Sequence, residues 1–176
     1  MKKSLSLWQL GGLTFTAVIG TLLHFLYDWT DLIALAPFSA VNESTWEHMK
    51  ILFFPMLIFA FLQNLFFKQD YPNFWCVKLL GIVVGTLLIP VLFYTLNGAF
   101  GETPDWVNIA LFFISAGCAY LVEGLFFQKQ PRGCKTPKLA FIVLLLIALS
   151  FVFFTFAPPQ IPLFQDPLTG TYGLQL

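Results

Sequence analysis

Charge is scarce in this sequence: nine basic and nine acidic residues in 176, or 10% of the chain, against about 25% in a soluble domain. So little charge excludes a chain that lives in water as a globular domain. A net charge of zero also gives a nucleic-acid partner no electrostatic footing. Cysteine is scarce too. Cys76, Cys118 and Cys134 match no zinc or redox spacing, and none falls in the loops assigned below to the exterior. They read as packed or reduced thiols, without an external disulfide. The sequence also lacks HExxH, a Gly-x-Ser-x-Gly elbow, a rhomboid-like Gly-x-Ser-Gly and a phosphate loop, so no familiar catalytic signature is present.

What fills the chain is apolar: 58% of residues are hydrophobic and 18% aromatic. Five runs stand out, Trp8–Tyr27, Trp46–Phe67, Phe74–Thr95, Trp106–Phe127 and Leu139–Ala157. Each has about the 20 residues that a helix rising 1.5 Å per residue needs to cross about 30 Å of hydrocarbon. They are too long, and alternate too little, for barrel strands. In lipid the helix is also the only open-chain way to satisfy every backbone N–H and C=O. All five tryptophans, Trp8, Trp29, Trp46, Trp75 and Trp106, stand at run ends, where an indole meets the headgroups. The expected fold is therefore all-α, a polytopic transmembrane bundle of five helices in one domain, followed by a tail from residue 158 to 176. The first run has a basic leader and an Ala34-Leu35-Ala36 sequence. It is too long for a signal-peptide core, and Pro37 disfavours cleavage, so it reads as a retained span.

If the helices alternate, Lys2, Lys3, Lys68, Lys78, Lys129, Arg132, Lys135 and Lys138 flank one side and only Lys50 the other. Asp28, Asp31, Glu43, Glu47, Glu102, Asp105 and Asp166 lie opposite. The positive-inside rule then puts the N-terminus in the cytoplasm and the C-terminus outside. The basic loops, which turn at Tyr71-Pro72-Asn73 and at Pro131, Gly133 and Pro137, read as hinges against anionic headgroups.

The outer side is richer. Leu32 to Phe38 is too short to cross and too apolar for water, which predicts an interfacial or re-entrant turn. The tail carries Ile161, Leu163, Phe164 and Tyr172 among its prolines, unlike a disordered segment, and is expected to fold over the outer mouth. Within the bundle, Gly81 and Gly85 make a GxxxG in the third run, which predicts close helix packing. Pro55 and Pro90 predict kinks. Glu123 lies near the cytoplasmic end of the fourth run, where it is expected to snorkel, with Gln63 and Asn64 within reach. Lys50 is expected to reach the outer interface or to pair with Glu47 or Glu43.

Both histidines lie on the outer side. His24 precedes Asp28 by four residues, so both project from one helix face. His48 follows Glu47 in the first turn of the second run. Antiparallel packing of these two runs would gather His24, Asp28, Glu43, Glu47 and His48 in a small volume. Imidazole with carboxylate suits zinc and other first-row divalent ions. Part of the pattern has a structural explanation: Ser44-Thr45-Trp46-Glu47 is a capping box, Ser44 accepting from the Glu47 N–H while the Glu47 carboxylate reaches back.

The stretches His24-Phe25-Leu26-Tyr27-Asp28-Trp29 and Asn42-Glu43-Ser44-Thr45-Trp46-Glu47-His48, with a tail running from Pro158-Pro159 through Asp166-Pro167 to Thr169-Gly170-Thr171-Tyr172-Gly173, resemble a family of small polytopic bacterial membrane proteins. That family is found mainly in Gram-positive bacteria and has no assigned activity. The resemblance covers essentially the whole chain. It implies a bacterial plasma membrane and no mechanism.

Three functions stay open on these residues. The cluster could hold a divalent metal such as zinc or a small ligand at the outer face, with haem on two axial histidines as the weaker variant. It could be a metal-dependent hydrolase acting on lipid or another substrate at the outer leaflet, with Glu43 or Glu47 as general base. Or it could be only an interhelical clamp in a structural or assembly protein. Membrane lipid is the one partner implied throughout, and oligomeric state is not legible.

Overall fold

A computed structural model describes residues 5–67, 71–101, 103–129, 134 and 136–175. Lys2, Lys3, Lys68, Glu102, Pro131, Arg132, Gly133 and Lys135, invoked above for the flanks and hinges, lie outside the described residues. Five helices account for most of the chain: α1 (Leu5–Thr30), α2 (Thr45–Phe67), α3 (Phe74–Phe100), α4 (Asp105–Lys129) and α5 (Pro137–Phe156). Each contains a stretch long and apolar enough to cross a membrane. No strand occurs among the described residues, and the all-helical expectation holds.

The helices start and stop for local reasons. Asp31 adopts φ 50° directly after α1, and its N–H caps the Tyr27 carbonyl at 2.8 Å, a left-handed stop tolerated by Asp. Gly101 does the same for α3 at φ 83°. Pro137 opens α5 in the first turn, where a missing N–H costs nothing. Ser44 caps α2 as expected, accepting from the Glu47 N–H at 3.4 Å. The reciprocal half of the box is not made. The Ser44 N–H goes to Asn42 Oδ1 at 2.9 Å, and the Glu47 carboxylate takes the Val41 N–H at 3.1 Å instead.

α2 is the central helix, the most buried of the five. Its Leu52, Phe53, Met56 and Ala60 are almost fully enclosed. α3 and α4 lie closest to one another through the GxxxG: a Cβ on Gly85 would come within 2.8 Å of the Ala119 Cβ. The motif serves packing inside the bundle. The outer helical faces carry Leu, Ile, Val and Phe exposed to the surroundings, as lipid-facing surfaces must.

Three expectations are corrected. Glu123 does not snorkel: it is wholly buried and ion-paired with Lys78 Nζ at 2.6 Å. Lys78 is not a headgroup flank but a fully enclosed residue of α3, its ammonium 5.5–6.0 Å from the ring centroids of Phe59, Phe74, Tyr120 and Phe127. In lipid a charge is costly unless paired, and each of these two is the other's partner. Gln9 Nε2 donates to Glu123 Oε2 and to the Tyr120 carbonyl, both at 3.3 Å, and Gln63 reaches the group through Gln9. Finally, Cys76 and Cys134 are bridged, with Cα atoms 6.2 Å apart, and only Cys118 is free. Fifty-eight residues separate the two, so no local spacing could reveal the pair.

A candidate metal centre

The segment from α1 to α2 does not loop outward. Successive turns bind Leu35 N–H to Leu32 O at 2.8 Å and Phe38 N–H to Leu35 O at 3.0 Å. The Ala40 N–H then donates to the Leu23 carbonyl of α1 at 3.1 Å. Ala36, Ser39 and Ala40 are buried, so the segment dips into the end of the bundle, as its apolar composition predicts. Lys50 holds it there. Its enclosed ammonium donates to the Ala36 carbonyl at 2.9 Å and to Thr155 Oγ1 of α5 at 3.0 Å, and pairs with Glu47. With three donors and three acceptors the group is satisfied.

This folded-in segment delivers Glu43 next to His24 of α1 and His48 of α2. One ligand atom from each of the three lies within 4.8 Å of the other two. Glu43 Oε2 is 3.8 Å from His24 Nε2 and 3.6 Å from His48 Nε2. Both lengths exceed the ~3.2 Å reach of an N–H···O hydrogen bond. They are close to the spacing of about 3.4 Å between two donors held 2.0–2.1 Å from a tetrahedral zinc ion. The imidazoles meet edge to face with centroids 5.3 Å apart.

His48 is oriented from behind. Its Nδ1 lies 2.9 Å from the Ser44 carbonyl, which can only accept, so in the neutral ring Nδ1 carries the hydrogen and the Nε2 lone pair faces the cluster. Metal-binding histidines are commonly held this way. His24 stacks on Phe25 at 4.8 Å, and Phe25 on the exposed Trp29 at 5.7 Å, while its Nδ1 is buried without a hydrogen-bond partner. The His24 and His48 side chains are 23% and 19% exposed and Glu43 is 41%, so a solute can enter.

Of the five residues read from sequence, three meet. Asp28 is exposed one turn further along α1, outside the group. Glu47, on a different turn of the loop–helix junction, faces Lys50 and the Val41 N–H. Both histidine Nε2 atoms converge on the Glu43 carboxylate, which fills the slot that a haem plane between them would need. The expected pairing of Lys50 with Glu47 is made, but sequence reasoning did not find the roles of Asn42, Asp166 and Gly173 in hydrogen bonds around Glu43, nor the Lys50 contact with the Ala36 carbonyl under the loop. A lysine among apolar residues, three positions after Glu47, was the signal for that pairing.

The family of unknown function DUF6512 has a model that matches residues 1–174, and the chain belongs to that family. No curated protein and no solved structure matches it.

Proposed function

We propose that this DUF6512 protein binds a divalent first-row metal ion, zinc above all, through His24, Glu43 and His48 at the outer face of a bacterial plasma membrane. The observation that carries this is the spacing at Glu43: its Oε2 stands 3.6 and 3.8 Å from two imidazole nitrogens, too far for hydrogen bonds and suited to a shared ion. A clamp would draw these groups together. Three protein donors leave a fourth tetrahedral position for water or a small ligand, the pattern of zinc sites that act on solutes.

The cytoplasmic placement of the N-terminus rests on charge. With Lys78 and Lys50 buried in ion pairs, the other basic residues all flank, by their place in the sequence, the run ends opposite the histidines, which is the bias that orients spans. The Cys76–Cys134 bridge belongs to that same end. Disulfides persist in oxidising compartments, so the bridge counts against a cytoplasmic location for that end, and the charge asymmetry is the observation that favours one. Hydrolysis at the metal is the second reading, favoured by the open position. It lacks a base from Glu47, whose carboxylate is engaged by Lys50.

The test is metal analysis of detergent-purified protein with a zinc and cobalt(II) titration. One ion per chain is expected, lost in His24→Ala and His48→Ala. Protein that takes up neither ion, or histidine variants that bind as the parent does, would overturn the proposal.

A further inference from the structure

We infer that the C-terminal tail is a positioning element for the metal centre, acting on Glu43 through Asn42 and Asp166. This rests on the metal reading above and concerns what sets the site's affinity. Glu43 is the one ligand not carried on a helix. It sits in the bend between Ala40 and α2, and no hydrogen bond to its carboxylate fixes it among the described residues. Its backbone is held instead, and two of the holds come from more than 120 positions away. Asn42 Nδ2 donates to the Gly173 carbonyl at 3.0 Å while Asn42 Oδ1 accepts the Ser44 N–H at 2.9 Å. The Glu43 N–H points to Asp166 Oδ2 at 3.5 Å. Ser44 in turn supplies the carbonyl that orients His48. The tail thus grips the residues on both sides of one ligand and, at one remove, the group behind another.

The tail is built to do this with little play. Phe164, in a single 3-10 turn (Pro162–Phe164), packs on Trp46 and Phe154 with centroids 4.6 and 5.4 Å away. Asp166 Oδ1 accepts the Leu168 N–H at 2.7 Å, and the Asp166 N–H donates to the Thr171 carbonyl at 2.9 Å, closing a tight loop with Asp166 itself buried. Gly173 stands at φ 61°, and a Cβ there would come within 2.9 Å of the Thr155 carbonyl and 2.7 Å of Pro158 Cγ. Only glycine lets the chain lie this close to α5 with its carbonyl turned to Asn42. The next residue, Leu174, donates its N–H to the Thr155 carbonyl at 3.0 Å. Thr155 also receives the Lys50 ammonium, so tail, loop and α2 meet at one point.

Two near-isosteric substitutions separate positioning from bracing. Asp166→Asn keeps an Oδ1 for Leu168 and removes the charged acceptor facing the Glu43 N–H. Asn42→Asp keeps the acceptor for Ser44 and removes the donor to Gly173. In full-length protein in detergent, each is expected to weaken cobalt(II) and zinc binding by roughly 10- to 100-fold, the usual effect of losing a group that orients a ligand. The apo unfolding midpoint should stay near that of the parent, and the cobalt d–d bands should shift as Glu43 loosens. Parental affinity in both variants overturns the role of the tail. So does an affinity loss that is matched in both variants by a fall in apo unfolding midpoint, because the tail is then only a brace. A parent protein that binds no metal sinks the underlying site instead, which keeps the two failures apart.

Discussion

At the Lys78 end of the bundle an ammonium and a carboxylate lie 2.6 Å apart, wholly buried, with aromatic rings around one and Gln9 against the other. At the His24 end three potential donors face one point from beyond hydrogen-bond distance and stay partly exposed. Both groups are polar islands in an apolar bundle, and both join helices distant in sequence. The first is closed: its charges cancel, and even the free Glu123 Oε1 is pressed against Gly81. The second is open, oriented from behind and incomplete in front. The buried pair serves the fold, whereas the open cluster leaves room for the ion proposed above. Lys50 and Glu47 show the contrast within a few residues. They sit beside the open cluster, but their mutual pairing and the Ala36 and Thr155 contacts close them.

The comparison breaks most readily at the closed site. Lys78→Met leaves Glu123 buried without its counter-charge, and loss of about 3–5 kcal/mol of stability is expected. Thermal unfolding and size-exclusion profiles in detergent would read it. The double variant Lys78→Met/Glu123→Met should recover most of that loss, since replacing a whole buried pair is often near neutral. A double variant no better than the single would mean that the pair does more than neutralise itself.

Next in size is Gly81→Ala. Its methyl would run into Glu123 Cγ and stand 2.8 Å from Glu123 Oε1, so overpacking should cost about 1–3 kcal/mol. Combined with Glu123→Ala, which vacates the space, the cost of the added methyl should largely vanish. Additive losses would show that the two positions do not meet.

The smallest effect belongs to the open site. His48→Ala in metal-free protein should change the unfolding free energy by about 1 kcal/mol or less, because its polar contact is one hydrogen bond to the Ser44 carbonyl and its ring meets only the edge of His24 and a carboxylate beyond hydrogen-bond reach. A loss as large as that of Lys78→Met would make the histidine cluster a structural clamp and erase the distinction.

Much of the site lay in plain view and its outcome did not. The histidines, Glu43 and the capping role of Ser44 could be read from spacing and from the depth at which each run begins. That Asp28 and Glu47 would stay outside the group depended on a turn of helix and on the competing ammonium of Lys50. Lys78 and Glu123 were visible as charges, and the positive-inside pattern drew Lys78 to the surface when its partner lay 45 positions away. Cys76 and Cys134 gave no hint of one another.

The sequence by itself determined that the chain is five apolar helices, because transfer of each segment from water to lipid depends only on its own composition and length. Which residues meet was decided by the tertiary structure alone. Helices apolar on every side carry little periodicity to say which face turns inward. Their rotation and depth are set by glycine contacts, buried ion pairs and the infolded loop, and those interactions exist only once the helices have come together.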